Sequence, residues 1–169
     1  LLLNVELPIQ LPTLMSTLNS LLASETVQGV GSQRGNLVVL VQSFSFHQGL
    51  PKDEAGHGGG FVFDGRSLPN PGREERFKKL TGKDAPVISY LVQQESVHQF
   101  FAHVIALVDS SIGNYQSRGF RNLTVSFGCT GGQHRSVYLA EQLAAHLAGR
   151  SGVEVVLRHR ALEKMALAI

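Results

Sequence analysis

The polar and apolar positions of this chain change rhythm several times. Asn36 to Phe46 (NLVVLVQSFSF) begins as a β-branched apolar run and then alternates, which predicts a strand buried in an α/β sheet. Phe61-Val62-Phe63-Asp64 is a short apolar strand ending on a carboxylate, and Leu123 to Phe127 and Val153 to Leu157 predict two more strands. Between them the period lengthens. From Pro86 to about Gly113 the residues Val87, Tyr90, Leu91, Val97, Phe100, Phe101, Val104, Leu107 and Val108 fall three or four apart. That spacing predicts one long helix with a broad apolar stripe for the sheet. A further helix is expected from Val137 to Ala148, closed by the glycines of Ala148-Gly149-Arg150-Ser151-Gly152. Strands alternating with helices imply an α/β fold: a single compact domain over residues 36–169, with a mostly parallel sheet flanked by helices.

Residues 1–35 read differently. Leu14, Leu18, Leu21 and Leu22 recur at helical spacing from Thr13 to Ser24, and Val27 to Gly35 is rich in Gly, Ser and Gln. We expect an amino-terminal helical arm and linker. Arg73 to Lys79 is a charged segment with helical potential between two turns, Ser67-Leu68-Pro69-Asn70-Pro71-Gly72 and Thr81-Gly82-Lys83-Asp84-Ala85-Pro86. Lys52 to Gly60, with His47 just before it and His57, Asp53 and Glu54 within it, lacks zinc-ligand spacing and reads as a solvated loop rather than a metal site.

Composition narrows the class. At 169 residues, with 43% hydrophobic and 17% charged positions, the chain can bury a core without metal or disulfide help. Its single cysteine, Cys129, excludes an intrachain disulfide and fits a reducing compartment, so a cytoplasmic location is expected. No apolar run reaches the length of a membrane span, and the first residues do not read as a signal peptide. A net charge of +2 suits an anionic ligand better than a dense nucleic-acid footprint.

The candidate chemistry centres on Phe127-Gly128-Cys129-Thr130-Gly131-Gly132-Gln133-His134-Arg135-Ser136. Strand, glycine-bearing turn and helix form an anion-binding arrangement. Backbone N–H groups converge there at the positive end of a helix, and Arg135 adds a planar fork that matches phosphate oxygens. Two other strand ends are polar, Asp64/Arg66 and Arg158-His159-Arg160, and in α/β sheets ligand sites gather at such carboxyl ends.

Two resemblances give this turn a use. By spacing alone, Cys129 to Arg135 followed by Ser136 resembles the C-x-x-x-x-x-R loop of the cysteine-based phosphatases. That resemblance implies Cys129 as nucleophile, Arg135 as phosphate ligand, Ser136 as assisting hydroxyl and Asp64 as general acid. Gly128 stands where those enzymes usually carry His.

A longer resemblance outweighs it. Gly128 to Tyr138 with Ala140-Glu141-Gln142-Leu143, Ser43 to Pro51, Phe61 to Pro71, Leu80-Thr81-Gly82, Val97-His98 and Arg158 to Lys164 together resemble the carboxy-terminal domain of the RapZ family of RNase adapter proteins. The resemblance implies a non-catalytic regulatory or adapter domain that binds a phosphosugar, with RNA binding as a second role and no cofactor. It places Thr130, Gly131, Gly132, His134, Arg135 and Ser136 around a phosphate, and Asp64, Arg66, His98, Arg158 and His159 around the rest of the ligand. A kinase, a nucleotide-binding domain or another protein is an implied partner; no membrane is. Departures accompany it. Nothing matches G-x-x-x-x-G-K-[ST], so nucleotide hydrolysis does not carry over. His47-Gln48-Gly49 stands where the family has Lys-His-Gly, and Met165-Ala166-Leu167-Ala168-Ile169 where RNA-binding members have a basic tail, so weaker RNA binding is expected.

Overall fold

The computed structural model describes residues 35–54, 56 and 60–167; the arm and linker expected before Gly35 lie outside the described residues. Among the described residues four strands form one parallel sheet: β1 (Leu37–Ser45), β2 (Phe61–Asp64), β3 (Asn122–Cys129) and β4 (Val153–His159), in the order β2-β3-β1-β4.

The register divides every strand between two faces. Val39 lies level with Leu123 and Val155, Val41 with Val125 and Leu157, and Phe127 with Phe63. These positions form one core with two helices, α2 (Glu95–Ser117) and α3 (Arg135–Leu147). Val39, Val41, Val108, Leu139 and Leu143 have no exposed surface. Each such side chain contributes about 1.5–3 kcal/mol on burial.

The opposite face carries Leu40, Thr124, Ser126, Val62 and Val156, with Val62 still 54% exposed. Chain handedness explains the asymmetry. The β2-to-β3 and β3-to-β4 connections both step the same way across the sheet, so right-handed crossovers put their helices on the same side. The β1-to-β2 connection steps back and crosses the other side. There Pro51, Lys52 and Asp53 line a shallow cleft with Gln42, Thr124 and Ser126. Glu54 ties this connection down to Arg158 at 3.0 Å and to Arg160 at 2.7 Å.

Three local expectations need correction. The single helix from Pro86 to Gly113 is two, α1 (Ala85–Val92) and α2. The break is made by side chains: the Gln94 amide donates to the Tyr90 carbonyl at 3.2 Å and His98 Nε2–H to the Val92 carbonyl at 2.5 Å, which satisfies the end of α1. Within Arg73 to Lys79 the only helical element is a 3₁₀ turn, Glu75–Phe77, after a Pro71–Arg73 turn. Arg158-His159-Arg160 is not just a strand end, because Arg160 opens α4 (Arg160–Leu167). Among the described residues no helix is long and apolar enough to cross a membrane.

Candidate anion-binding site

The turn between β3 and α3 is built from Cys129 outward. Cys129 is level with Ser45 and on the helix-covered face. It lies under the first turn of α3 with its thiol 3.1 Å from the Ser136 hydroxyl and only 3% of its surface exposed. Thr130 follows at the surface, its carbonyl held by the Ser45 hydroxyl at 2.7 Å. Gly132 turns the chain with φ 71°, and a Cβ there would meet the Ala161 Cβ at 2.6 Å and the Ser45 nitrogen at 2.9 Å. Glycine at 132 thus lets the turn lie flat on β1 and α4. A Cβ at Gly131 would meet nothing.

Gln133 and His134 fasten the turn to the segment before α1. Gln133 donates to the carbonyls of Lys78 at 2.9 Å and Leu80 at 2.6 Å, and His134 Nε2–H donates to Phe77 at 2.9 Å. The Gly82 amide returns a bond to the Gln133 carbonyl at 2.9 Å, and a Cβ at Gly82 would sit 2.2 Å from the His134 carbonyl. Asp84 closes this brace by accepting from the Thr81 amide at 2.6 Å and hydroxyl at 2.9 Å, and its carboxyl is lowered first by the amide and then by the hydroxyl.

Arg135 is 4% exposed. Its guanidinium donates to the carbonyls of Arg66 at 2.9 Å and Leu68 at 3.0 Å and reaches the Thr130 hydroxyl at 3.4 Å. Among the described residues no carboxylate forms an ion pair with it, and its Nε–H is buried without a partner. Arg66 is held differently. It grips the Asp64 carboxylate at 2.6 to 3.0 Å and stacks on the Phe46 ring 4.0 Å below. That hydrogen bonding holds the Asp64 carboxyl below its ordinary value.

These groups open on one cleft of about 460 Å³, at the carboxyl ends of β2 and β3 and the start of α2. Arg66, Arg73 and Arg135 line it with Thr130, Ser67, Asn70 and Ser96, and no carboxylate is among its lining residues. Of the residues singled out from sequence, it brings together Arg66, Thr130 and Arg135, with Asp64 behind Arg66. Gly131, Gly132, His134 and Ser136 shape or support the turn without lining the cleft. His98 caps α1. Arg73, Asn70, Ser67 and Ser96 were not singled out, although Ser67 and Asn70 stand within the run that carries the family resemblance.

The end of β4 lines none of this cleft, so of the three polar strand ends the cleft takes residues from two. The register turns Arg158 to the face opposite the helices, where it pairs with Glu163 at 2.9 Å and with Glu54. His159 points to the helix side: its Nε2–H donates to Glu141 at 3.0 Å, and its Nδ1 accepts from the Ser43 hydroxyl at 2.8 Å. Strand order is the reason: β1 separates β4 from β3.

Fold and site together define an all-parallel α/β domain with an arginine-lined cleft at the carboxyl ends of its strands. Comparison with known proteins gives the family. Residues 37–163 match the model of the RapZ C-terminal domain, and the chain belongs to that family. It is 41% identical over 134 residues to a nucleotide-binding protein of Methylobacillus flagellatus, covering 79% of this chain and 46% of the relative. It is 42% identical over 139 residues to one of Aeromonas hydrophila, covering 81% and 46%. It is 46% identical over 127 residues to one of Acidovorax sp., covering 75% and 42%. The chain thus spans less than half the length of these curated relatives.

Proposed function

We propose that the cleft at the carboxyl ends of β2 and β3 binds the phosphate of a phosphorylated polyol, a sugar phosphate, and that the domain works as a non-catalytic regulatory or adapter module. The observation that carries this reading is Arg135: a buried guanidinium on the cleft wall with no ion-paired acid among the described residues and one N–H unsatisfied. A phosphate in the cleft supplies the missing negative charge. Thr130 and the open turn at Gly131 add donors at the helix N-terminus.

The chemistry of the walls favours a polyol over a nucleoside. Ser67, Asn70 and Ser96 suit hydroxyl groups, and no aromatic ring lines the cleft for a base to stack on. The relatives' name, nucleotide-binding protein, applies to chains more than twice as long as the part matched here. RNA binding draws less support, because Arg76, Lys78, Arg150 and Arg158 are each already paired with an acid. A cysteine phosphatase draws less still, because Cys129 is buried and lines none of the cleft.

Calorimetric titration with glucose 6-phosphate tests the reading. Binding is expected in the wild type and is lost in Thr130→Val and Arg135→Ala, and thermal stability rises with ligand in the wild type alone. Steady hydrolysis of an aryl phosphate that disappears in Cys129→Ser would instead establish the phosphatase.

A further inference from the structure

The two edges of the sheet are finished differently. β2, at one edge, has four residues and ends on Asp64. β4, at the other, has seven, pairs with β1 without a bulge from Val153 to His159, and contains neither Pro nor Lys. An edge left in that state is a template for another strand. Among the described residues nothing pairs with the outer side of β4. The Leu37 amide donates to the Gly152 carbonyl at 2.9 Å, so the even-numbered positions of β4 turn their backbone groups to β1 and those of Val155 and Leu157 point outward. The side chains of Val155 and Leu157 are partly exposed, whereas Val39 and Val41 beside them on β1 have no exposed surface. Val156, on the opposite face, is 37% exposed.

We infer that β4 is the interface for a second copy of this chain, the two strands pairing antiparallel about a twofold axis at Val156. Val155 and Leu157 then exchange both backbone hydrogen bonds with Leu157 and Val155 of the second copy, Val156 meets Val156, and Glu154 opposes Arg158. Charge selects this register. Glu154 is exposed and has no ion pair among the described residues, and Arg158, held by Glu54 and Glu163, keeps 37% of its side chain exposed. Both lie on the face away from the helices, and opposite charges at directly facing positions stabilise a strand pair where like charges destabilise it. Centring on Val155 would set Glu154 against Val156, and centring on Leu157 would set Arg158 against Val156. The pairing stops short of His159, whose amide donates to Glu163. β4 is the strand furthest from β2, so both copies keep their arginine-lined clefts open.

Sedimentation equilibrium of the full chain tests the inference. The wild type is expected to show twice the mass of one chain. Glu154→Lys is a change at an exposed position that sets a lysine against Arg158 of the second copy. It is expected to leave the circular dichroism spectrum unchanged and to raise the dissociation constant at least about tenfold. In a non-hydrogen-bonded antiparallel pair the facing Cα atoms are about 4.5 Å apart, within reach of a disulfide. Val156→Cys is therefore expected to give a covalent dimer with oxidised glutathione, while Val62→Cys, exposed on the other edge strand, is expected to stay monomeric on a denaturing gel. A wild type that is monomeric at about 100 μM overturns the inference. So does a dimer whose dissociation constant Glu154→Lys leaves unchanged, or a Val156→Cys chain that cross-links no better than Val62→Cys.

Discussion

Arg135 ties the loop after β2 to the start of α3: its guanidinium donates to the Arg66 carbonyl at 2.9 Å. The same group donates to Leu68, whose side chain is buried in the core. The arginine thus supports the fold as well as facing the cleft. Arg135→Lys keeps the charge but loses the fork. Urea unfolding is expected to show a loss of about 1–3 kcal/mol, because two carbonyls lose their donor. An unchanged midpoint would mean that these bonds contribute nothing net.

The two glycines of the turn are expected to respond differently. Gly132→Ala requires positive φ and presses a methyl group on Ala161 and Ser45, so a loss of about 1–3 kcal/mol is expected in denaturant unfolding. Gly131→Ala enters open space at a permissive backbone angle and is expected to shift stability by less than about 0.5 kcal/mol. Equal losses in the two variants would contradict the geometry of the turn.

His159 links three elements, being bonded to Ser43 of β1 and Glu141 of α3 from the end of β4. Only 12% of its side chain is exposed. His159→Ala leaves the buried Ser43 hydroxyl without this partner and Glu141 with only Lys83, 3.7 Å away, and is expected to cost about 1–3 kcal/mol. Affinity for glucose 6-phosphate measured below the melting transition is expected to be unchanged, because His159 does not line the cleft. A folded variant that no longer bound the ligand would put His159 in the binding machinery.

Acid is expected to weaken the fold through particular carboxylates. Asp64 is lowered by its hydrogen bonds from Arg66, Asp84 by those from Thr81, and Glu163 by those from Arg158. A folded pKa below the unfolded one means that the unfolded chain binds the proton more tightly. The stabilisation is complete above the unfolded value near 4 and is lost as pH falls through the lower folded values. All three groups are near the surface, so each effect is small. Unfolding measured between pH 6 and 3 is expected to show a shallower decline in Asp84→Asn than in the wild type; parallel curves would remove Asp84 from the account.

The pattern along the chain was enough for the elements whose information is local. β1, β3 and β4 announce themselves because β-branched and apolar residues run together and then alternate. α3 announces itself because a glycine turn precedes a helical repeat. The turn from Cys129 to Arg135 was legible for the same reason: strand, glycines and helix are contiguous. The split between α1 and α2 was not, because it depends on where the Gln94 amide and the His98 ring reach, and the apolar period runs on past it.

The site divides along the same line. Periodicity over a few residues determined by itself that a parallel α/β sheet would end in a glycine-bearing turn with an arginine after it. Which polar strand ends share a cleft depends on strand order and on the side each residue faces. β3 lies between β2 and β1, so Arg66 and Arg73 come to Thr130 and Arg135, while Arg158 and His159 are carried one strand further away. Alternation along β3 turns Cys129 in under α3, closing it off. Ser96 reaches the cleft only because α2 begins beside it. Such neighbours are far apart in the chain, and the packing of helices on one face of the sheet is what brings them together.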